Sequence, residues 1–366
     1  MISVEFNDER IRLLEQVQLK SQELQLPCFL IGGFVRDLLH NRRIQDGDID
    51  IVVEGAASLL ASSMADHVDG TVKHFKTFLT AKVLDFSGYE PCVEIDFASA
   101  RSERYPKSGA LPIVAPSSVT EDLRRRDFTV NAMAVPLDQF LHLLQSGGLT
   151  MEKLQAIVFD PFDGQRDLQL HQIRILHSES FVDDPTRIVR LVRYKVRLNF
   201  AVEKLTEEAL KDALKANALQ NISVERLWNE LVKCLFEADP GRMIVTLAEY
   251  GAFIAHHEAF LPFRGLSLEE ISLYAEQLKG LSVDSRVELT RLLALGVTLR
   301  DGEVEERYFS QLSQIGVGKK ERKRLQGLIR EMFPEGTSKE AEDGISAVEL
   351  IDRYVSLLAG SFGSKK

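Results

Sequence analysis

The sequence predicts an α+β protein on three observations. A helix–strand–helix opening occupies the first 69 residues and passes into further strands. From about Val182 onward the apolar spacing is almost wholly helical, and no internal repeat breaks either part.

Residues 1–25 read as an amphipathic helix leading into a strand at Cys28–Ile31. After the turn Gly32-Gly33 comes a short helix, Val35 to about His40, and then a strand over Asp48–Val53. From Ile49 to Val53 that strand is apolar and β-branched except at Asp50, the pattern of a buried strand. Ala56–Asp69 reads as a helix. Residues 72–85 and 91–98 read as two more strands, separated by Ser87-Gly88-Tyr89-Glu90-Pro91. Val93, Ile95 and Phe97 alternate with Glu94 and Asp96, as on a half-buried edge. Residues 101–121 hold three prolines and one glycine among several serines, so this segment reads as a loop, and a loop of that length is a functional candidate. Asp160-Pro161-Phe162-Asp163-Gly164-Gln165-Arg166-Asp167-Leu168 is an acid-rich turn with an expected structural role. Helices follow over Asp184–Leu198, Lys204–Ala216, Val224–Phe236, Arg242–Tyr250 and Ser267–Lys279. Four more are expected over Ser285–Leu299, Glu303–Ile315, Lys319–Phe333 and Ala347–Leu358.

At 366 residues the chain can bury a large core in two or three domains. Hydrophobic content of 45% and charged content of 27% are ordinary for a globular protein, and no apolar run reaches the roughly 18 to 20 residues of a membrane span. The first ten residues lack the plan of a signal peptide. Cys28, Cys92 and Cys234 are odd in number and widely spaced, which argues against a disulfide framework and predicts a reduced, cytoplasmic protein. A net charge of −10 argues against a protein that coats nucleic acid nonspecifically, yet two basic concentrations stand out. One is Arg187, Arg190, Arg193, Lys195 and Arg197; the other is Lys319, Lys320, Arg322, Lys323, Arg324 and Arg330.

Asp48 and Asp50 are one residue apart on a strand, so both side chains point the same way. Two desolvated carboxylates repel unless a cation joins them, and a hard ion such as Mg²⁺ is held by carboxylates together with substrate phosphates. Gly32 and Gly33 let backbone N–H groups approach a phosphate, and Arg36 can add charge-assisted hydrogen bonds. A phosphate turn followed by a metal pair points to nucleotidyl transfer. Asp96 is either a third catalytic carboxylate or a polar residue on the exposed sheet face. In Glu121-Asp122-Leu123-Arg124-Arg125-Arg126-Asp127-Phe128-Thr129-Val130-Asn131, three arginines beside Asp127 and Asn131 can grip a triphosphate and a ribose, unless they form only a solvated charge run.

Asp184-Pro185-Thr186-Arg187 reads as a helix start, with Asp184 at the N-cap and Pro185 at the first helical position. Asp184, Arg187, Arg190 and Arg193 recur every three residues as one stripe; Ile188, Val189, Val192 and Val196 lie opposite. Such a stripe is commonly a solvated basic face. A carboxylate that accepts beside a guanidinium that donates also fits the edges of adenine and cytosine, and mismatches guanine and uracil.

With these motifs together, the chain resembles the class II tRNA nucleotidyltransferases, CCA-adding and A-adding enzymes related to poly(A) polymerases in the polymerase β-like superfamily. Gly32-Gly33-Phe34-Val35-Arg36-Asp37 with Asp48-Ile49-Asp50 looks like the family's first motif, and Arg125-Arg126-Asp127-Phe128-Thr129-Val130-Asn131-Ala132 like its second. The turn at 160–168 is similar to the third, Asp183-Asp184-Pro185-Thr186-Arg187 to the fourth, and Ser223-Val224-Glu225-Arg226-Leu227-Trp228 to the fifth. The fourth opens with Asp183 where the family's usual residue is Glu.

The resemblance implies a polymerase β-like catalytic head with a mixed sheet (1–140), a neck that selects the base (141–200) and an all-helical body and tail that hold tRNA (201–366). It implies Mg²⁺ on Asp48 and Asp50, and nucleotide contacts from Gly32, Gly33, Arg36, Arg126 and Asp127. Asp184 and Arg187 would read the base, supported by Arg190 and Arg193. The implied reaction adds CCA, or its terminal A, to the tRNA 3′ end from CTP and ATP and releases pyrophosphate. The loop at 101–121 matches the flexible loop of CCA- and A-adding members. An A-adding specialist, a bacterial poly(A) polymerase and a non-catalytic RNA-binding protein are the rival readings; the acidic net charge weighs against the polymerase, and intact Asp48 and Asp50 against the last.

Overall fold

The structure, a computed structural model, describes residues 8–40, 49–84, 94–255, 257–300, 303–304, 309–332 and 346–363. The chain divides into two compact units. The first comprises Met1–Pro106, Leu111–Ser180 and Ala201–Thr206; the second comprises Lys107–Ala110, Phe181–Phe200 and Glu207–Lys366.

In chain order the first unit begins with α1 (Asp8–Leu24), β1 (Cys28–Ile31), α2 (Gly33–Leu39), β2 (Ile49–Val53), α3 (Ala57–His67), β3 (Thr71–Phe75), β4 (Thr80–Leu84) and β5 (Ile95–Ser99). It continues through β6 (Arg101–Arg104), β7 (Ile113–Pro116), α4 (Val119–Arg124), β8 (Ala134–Pro136), α5 (Leu137–Gln145), α6 (Met151–Ile157), α7 (Gly164–Gln169) and β9 (Gln172–Ile173). A six-stranded mixed sheet runs β3-β4-β5-β2-β1-β8, antiparallel except where β2 pairs with β5. That parallel pairing sets Asp50 opposite Asp96.

The period-2 pattern explains the faces. In β5, Ile95, Phe97 and Ser99 are buried while Asp96 and Ala98 are half-buried. In β2 the alternation holds only at Asp50, which is exposed, while Val52, two residues on and facing the same way, is fully buried. Val52 sits under Ile31, Ala100, Val119, Leu123 and Ala134, so one face of β2 is covered at its C-terminal end and open at Asp50. Most of this covering comes from the chain after β5, which leaves the N-terminal end of β2 open at Asp50.

Two stretches of the first unit depart from the sequence reading. Residues 72–85 are a hairpin, not one strand: a 3₁₀ turn at Lys76–Phe78 and Leu79 at φ 53° reverse the chain between β3 and β4. Residues 101–121 are not a bare loop. β6 and β7 pair antiparallel, Arg101 opposite Pro116 and Arg104 opposite Ile113, and α4 starts at Val119 with Ser118 as its cap. Pro116 is tolerated because it closes an edge strand, where its missing N–H costs nothing. The turn predicted at Ser87–Pro91 lies outside the described residues.

Past β9 the chain passes α8 (Ser180–Asp183) and α9 (Thr186–Leu198), returns to the first unit as β10 (Ala201–Val202) beside β9, and then stays helical. The helices are α10 (Lys204–Lys215), α11 (Val224–Leu235), α12 (Pro240–Glu249), α13 (Leu268–Leu278), α14 (Val283–Thr298), α15 (Phe309–Gln314), α16 (Lys319–Met332) and α17 (Ala347–Gly363). Their starts follow capping chemistry. Ser223 caps α11, Asp239 precedes Pro240 at α12, and Ser267 with Glu270 forms a full capping box at α13. α12 and α13 pack closely: a Cβ on Gly241 would lie 2.3 Å from the Ala275 carbonyl oxygen, so only glycine fits there. The helix expected over Glu303–Ile315 is corrected: Glu303–Val304 pairs with Leu299–Arg300 as strands β12 and β11, and α15 covers only Phe309–Gln314.

Cys28 and Cys234 are buried free thiols, and burial pushes their pKa values up to about 11 and about 12. Cys92 lies outside the described residues. Among the described residues, no helix is long and apolar enough to cross a membrane.

Candidate active site

In the first unit, β1 ends at Ile31 and Gly32 takes φ 66° and ψ −128°, a conformation that strains any residue with a Cβ. This turn starts α2. A Cβ built on Gly32 would lie 3.1 Å from Nη1 of Arg126, so the absence of a side chain lets that guanidinium settle over the turn. Arg126 donates from Nη2 to Asp122 Oδ2 at 3.1 Å, while its buried Nε has no hydrogen-bond partner. A guanidinium held at one end over a glycine turn, with a buried donor unspent, is suited to an anion.

Arg36 is a different case. It is 1% exposed; Nε and Nη2 fork onto Asp37 at 2.8 Å each, and Nη1 donates to Asn131 Oδ1 at 2.7 Å. Asn131 donates in turn to Asp127 Oδ1 at 3.0 Å, which also accepts the Phe128 N–H at 2.8 Å. Arg36 and Asp127 therefore tie the first and second motifs together from below the turn. The third motif braces the same segment. Asp160 accepts the Gly164 and Gln165 N–H groups, and buried Asp167 accepts from Thr129 Oγ1 at 2.5 Å and Arg174 Nε at 2.8 Å. A Cβ on Gly164 would meet the Thr129 carbonyl oxygen at 2.4 Å, so this glycine permits the contact.

Asp50 is exposed on the open face of β2, with Asp96 beside it on β5. Asp96 also meets Lys82 Nζ at 3.1 Å, and Lys82 is shared with Glu94 at 2.6 Å. Asp48 lies outside the described residues. Among the described residues no cluster of three or more histidine, cysteine or acidic groups forms a metal site. The donor set nevertheless fits a hard divalent ion: Asp50 and Asp96 are carboxylates at paired positions of adjacent strands, whose backbones lie roughly 4.8 Å apart, and Asp50 is exposed.

Behind Arg126 lies the charged run, and it is solvated only in part: Arg124 is exposed and pairs with Glu121, while the groups around Asp122 turn inward. Asp122 is fully buried and accepts from Arg125 and Arg126; Glu103 on β6 accepts from Arg101, Arg125 and the Tyr105 hydroxyl. Burial raises the Asp122 pKa, but Arg126 and Arg125 outweigh it and hold the carboxyl below its usual value. Burial likewise lowers the Arg125 pKa, and Asp122 and Glu103 more than reverse it.

In the second unit, Pro185 rather than Asp184 occupies the cap position of α9, because the helix begins one residue later than expected. Asp184 still serves the helix start: Oδ1 accepts from the Thr186 N–H at 3.2 Å and hydroxyl at 2.7 Å. Arg226 of α11 donates to the same oxygen at 3.1 Å, and its Nη1 reaches the Gly109 carbonyl at 2.9 Å. The arginine stripe is not a solvated face. Arg187 is 4% exposed and Arg193 6%, with Arg193 donating to Glu230 Oε2 at 3.0 Å. Arg190 lies 3.8 Å from Glu230, Arg193 is 3.8 Å from Glu237, and Arg197 pairs with Glu237. Tyr194 lies within 5.5 to 5.7 Å of the Arg190, Arg193 and Arg197 guanidiniums.

Sequence reasoning thus missed Asp122, Glu103, Glu230 and Glu237 as partners of the arginines. Only Asp122 carried a local signal, lying four residues before Arg126 in the same charged run. The structure brings Gly32, Gly33, Arg36, Arg126 and Asp127 together in the first unit, with Asp50 on β2 of the same sheet. Asp184, Arg187, Arg190 and Arg193 lie together in the second.

Residues 28–174 match the family model of the poly A polymerase head domain, and residues 199–260 match that of the probable RNA and SrmB-binding site of polymerase A. The chain is 41% identical over 236 residues to an A-adding tRNA nucleotidyltransferase of Halalkalibacterium halodurans, covering 64% of this chain and 51% of that protein. A protein of the same description from Geobacter sulfurreducens is 39% identical over 241 residues, covering 66% of this chain and 25% of that one. The chain therefore spans about half the length of the first relative and a quarter of the second. The solved structure of a CCA-adding enzyme without ligand matches with a TM-score of 0.67 at 26% identity, over 96% of this chain and 80% of that one.

Proposed function

We propose, from the premise that residues 28–174 belong to the poly A polymerase head-domain family, that the chain is a template-independent tRNA nucleotidyltransferase. It extends a tRNA 3′ end from ATP, and from CTP where CCA is built, releasing pyrophosphate. The observation that carries this reading is Arg126 poised over the Gly32 turn with an unpartnered donor, in the sheet domain whose β2 presents Asp50. An anion seat and an exposed carboxylate in one sheet domain supply the two kinds of group that phosphoryl-transfer chemistry requires.

In this reading Asp50, with Asp48, holds a divalent ion, for which Mg²⁺ is proposed because the donors are carboxylates. When bound, that ion supplies charge neutralisation on the phosphates and activation of the 3′-hydroxyl. The protein's own groups do the rest. Gly32 and Gly33 bring backbone N–H groups to the triphosphate, and Arg126 neutralises its charge. Arg36 and Asp127 keep that turn and the second motif in register. Asp184, with Oδ1 fixed by Arg226 and Thr186, offers its remaining acceptor capacity to the amino group of adenine or cytosine, and Arg187 donates to the ring nitrogen. Arg190 and Arg193 support that pair. The catalytic head (1–140), base-selecting neck (141–200) and RNA-holding body and tail (201–366) are functional divisions within this proposal, as is a cytoplasmic location.

The descriptions of the two relatives quoted favour addition of the terminal A; the CCA-adding structure favours the complete triplet as the second reading. Labelled CTP and ATP supplied to tRNA transcripts ending at the discriminator base, at C and at CC decide between them. Incorporation on the CC transcript alone identifies the A-adding specialist, and C then A on the shortest transcript identifies complete CCA addition. No incorporation on any of the three would refute the proposal. On the base reader, Arg187→Ala is expected to bring GTP and UTP incorporation to within about tenfold of ATP. Retained discrimination in that variant would remove Arg187 from the base-reading role.

A further inference from the structure

We infer that Asp122 is a positioning residue that aims Arg126 at the nucleotide's phosphates, and that Glu103 sets this aim from the β6 strand. The inference rests on the phosphate role of Arg126 proposed above.

Asp122 lies in the last turn of α4 and Arg126 just past its C-cap Arg125, where the Arg126 N–H donates to the Leu123 carbonyl at 3.2 Å and the chain turns back toward Asp122. Asp122 divides its oxygens. Oδ1 takes Arg125 Nε at 3.0 Å and Nη2 at 2.8 Å, leaving Oδ2 for Arg126 Nη2 at 3.1 Å. Arg125 is in turn held by Glu103 Oε1 at 2.8 Å, and the same oxygen takes Arg101 Nε and Nη2 at 3.2 Å each. Within this cluster three guanidiniums face two carboxylates, so one positive charge is left uncompensated. It falls at Arg126, the arginine with the fewest bonds to acids and the buried Nε without a partner. The anchoring also fixes direction. With Nη2 tied to a fully buried carboxylate, Nη1 is directed over Gly32 and the guanidinium cannot fold back toward Arg125.

Removing Glu103 frees Arg125 to compete for both oxygens of Asp122, and Arg126 then loses its anchor. β6 is therefore wired to the phosphate seat through two carboxylates, although neither touches substrate.

The test uses the full chain and inorganic tripolyphosphate as probe. In Asp122→Asn the Ki of tripolyphosphate and the KM of ATP are expected to rise about tenfold, with kcat at saturating ATP within about threefold of wild type. Glu103→Gln should raise both about threefold. A folded Asp122→Asn protein with unchanged Ki and KM overturns the inference, and so does an equal loss confined to kcat. If Asp122→Asn fails to fold, Glu103→Gln decides alone by the same two readouts. Wild-type protein that incorporates ATP but is not inhibited by tripolyphosphate also overturns it. A wild type that neither incorporates nucleotide nor binds tripolyphosphate refutes instead the phosphate role of Arg126 on which it rests.

Discussion

Asp50→Ala is expected to reduce ATP incorporation on the order of a thousandfold while leaving the fold intact. The two halves of this expectation have separate causes. Asp50 is exposed in the sheet, so truncating it opens no cavity and should change stability by no more than about 1 kcal/mol, the value of an exposed polar interaction. Its carboxylate is nevertheless one of the proposed anchors for the divalent ion, and loss of an anchor for developing charge costs about 10² to 10³ in rate at comparable sites. Circular dichroism and single-turnover incorporation read the two halves independently. Asp50→Cys sharpens the test, since thiolate suits softer ions than Mg²⁺; activity should return in part with Mn²⁺ or Cd²⁺ and stay lost with Mg²⁺. Wild-type incorporation by Asp50→Ala would move the metal site away from β2.

Glu230→Ala is expected to destabilise the second unit by about 3 to 5 kcal/mol. Glu230 is 7% exposed and meets Arg193 at 3.0 Å, Lys233 at 2.7 Å and Arg190 at 3.8 Å. Truncation leaves Arg193, itself 6% exposed, with the longer 3.8 Å approach to Glu237 as its remaining countercharge among the described residues. The cost is that of leaving a buried guanidinium short of countercharge, which exceeds the net value of the pair itself. A fall in the unfolding midpoint on the order of 10 °C follows for a unit of this size. Thermal melts of Glu230→Ala and of Glu230→Gln separate the two contributions: the amide keeps a hydrogen-bond acceptor and should lose less. Equal melts for wild type and Glu230→Ala would show that Arg193 finds another partner.

Strand alternation, helix periodicity and capping chemistry made most elements legible. β5 shows why: Ile95, Phe97 and Ser99 on one face are buried, while Asp96 and Ala98 on the other are half-buried. What stayed hidden depended on partners distant in sequence. The arginine stripe of α9 reads as a solvated face because nothing within α9 neutralises it; its countercharges are Glu230 and Glu237, roughly forty residues later. The 101–121 segment reads as a loop because Pro116 and Gly109 mask a two-stranded pairing whose edges tolerate them. Gly32 and Arg126 were each legible as phosphate candidates, yet their juxtaposition is a tertiary fact that no spacing encodes. Arg36 shows the reverse. The motif suggested a phosphate contact, and the structure gives its donors to Asp37 and Asn131.

The β3 edge of the sheet has a bearing on handling the protein in concentrated solution. Its opposite margin, β8, is three residues long, contains Pro136, and has Ala134 bridged to Phe159, so little backbone there is available to another molecule. β3 is five residues long and largely exposed, but carries Lys73 in its middle and is followed by Lys76. Any second copy adding a strand at this margin would have to strip water from those ammonium groups and set like charges side by side, so the sheet is guarded against edge-to-edge aggregation by two lysines.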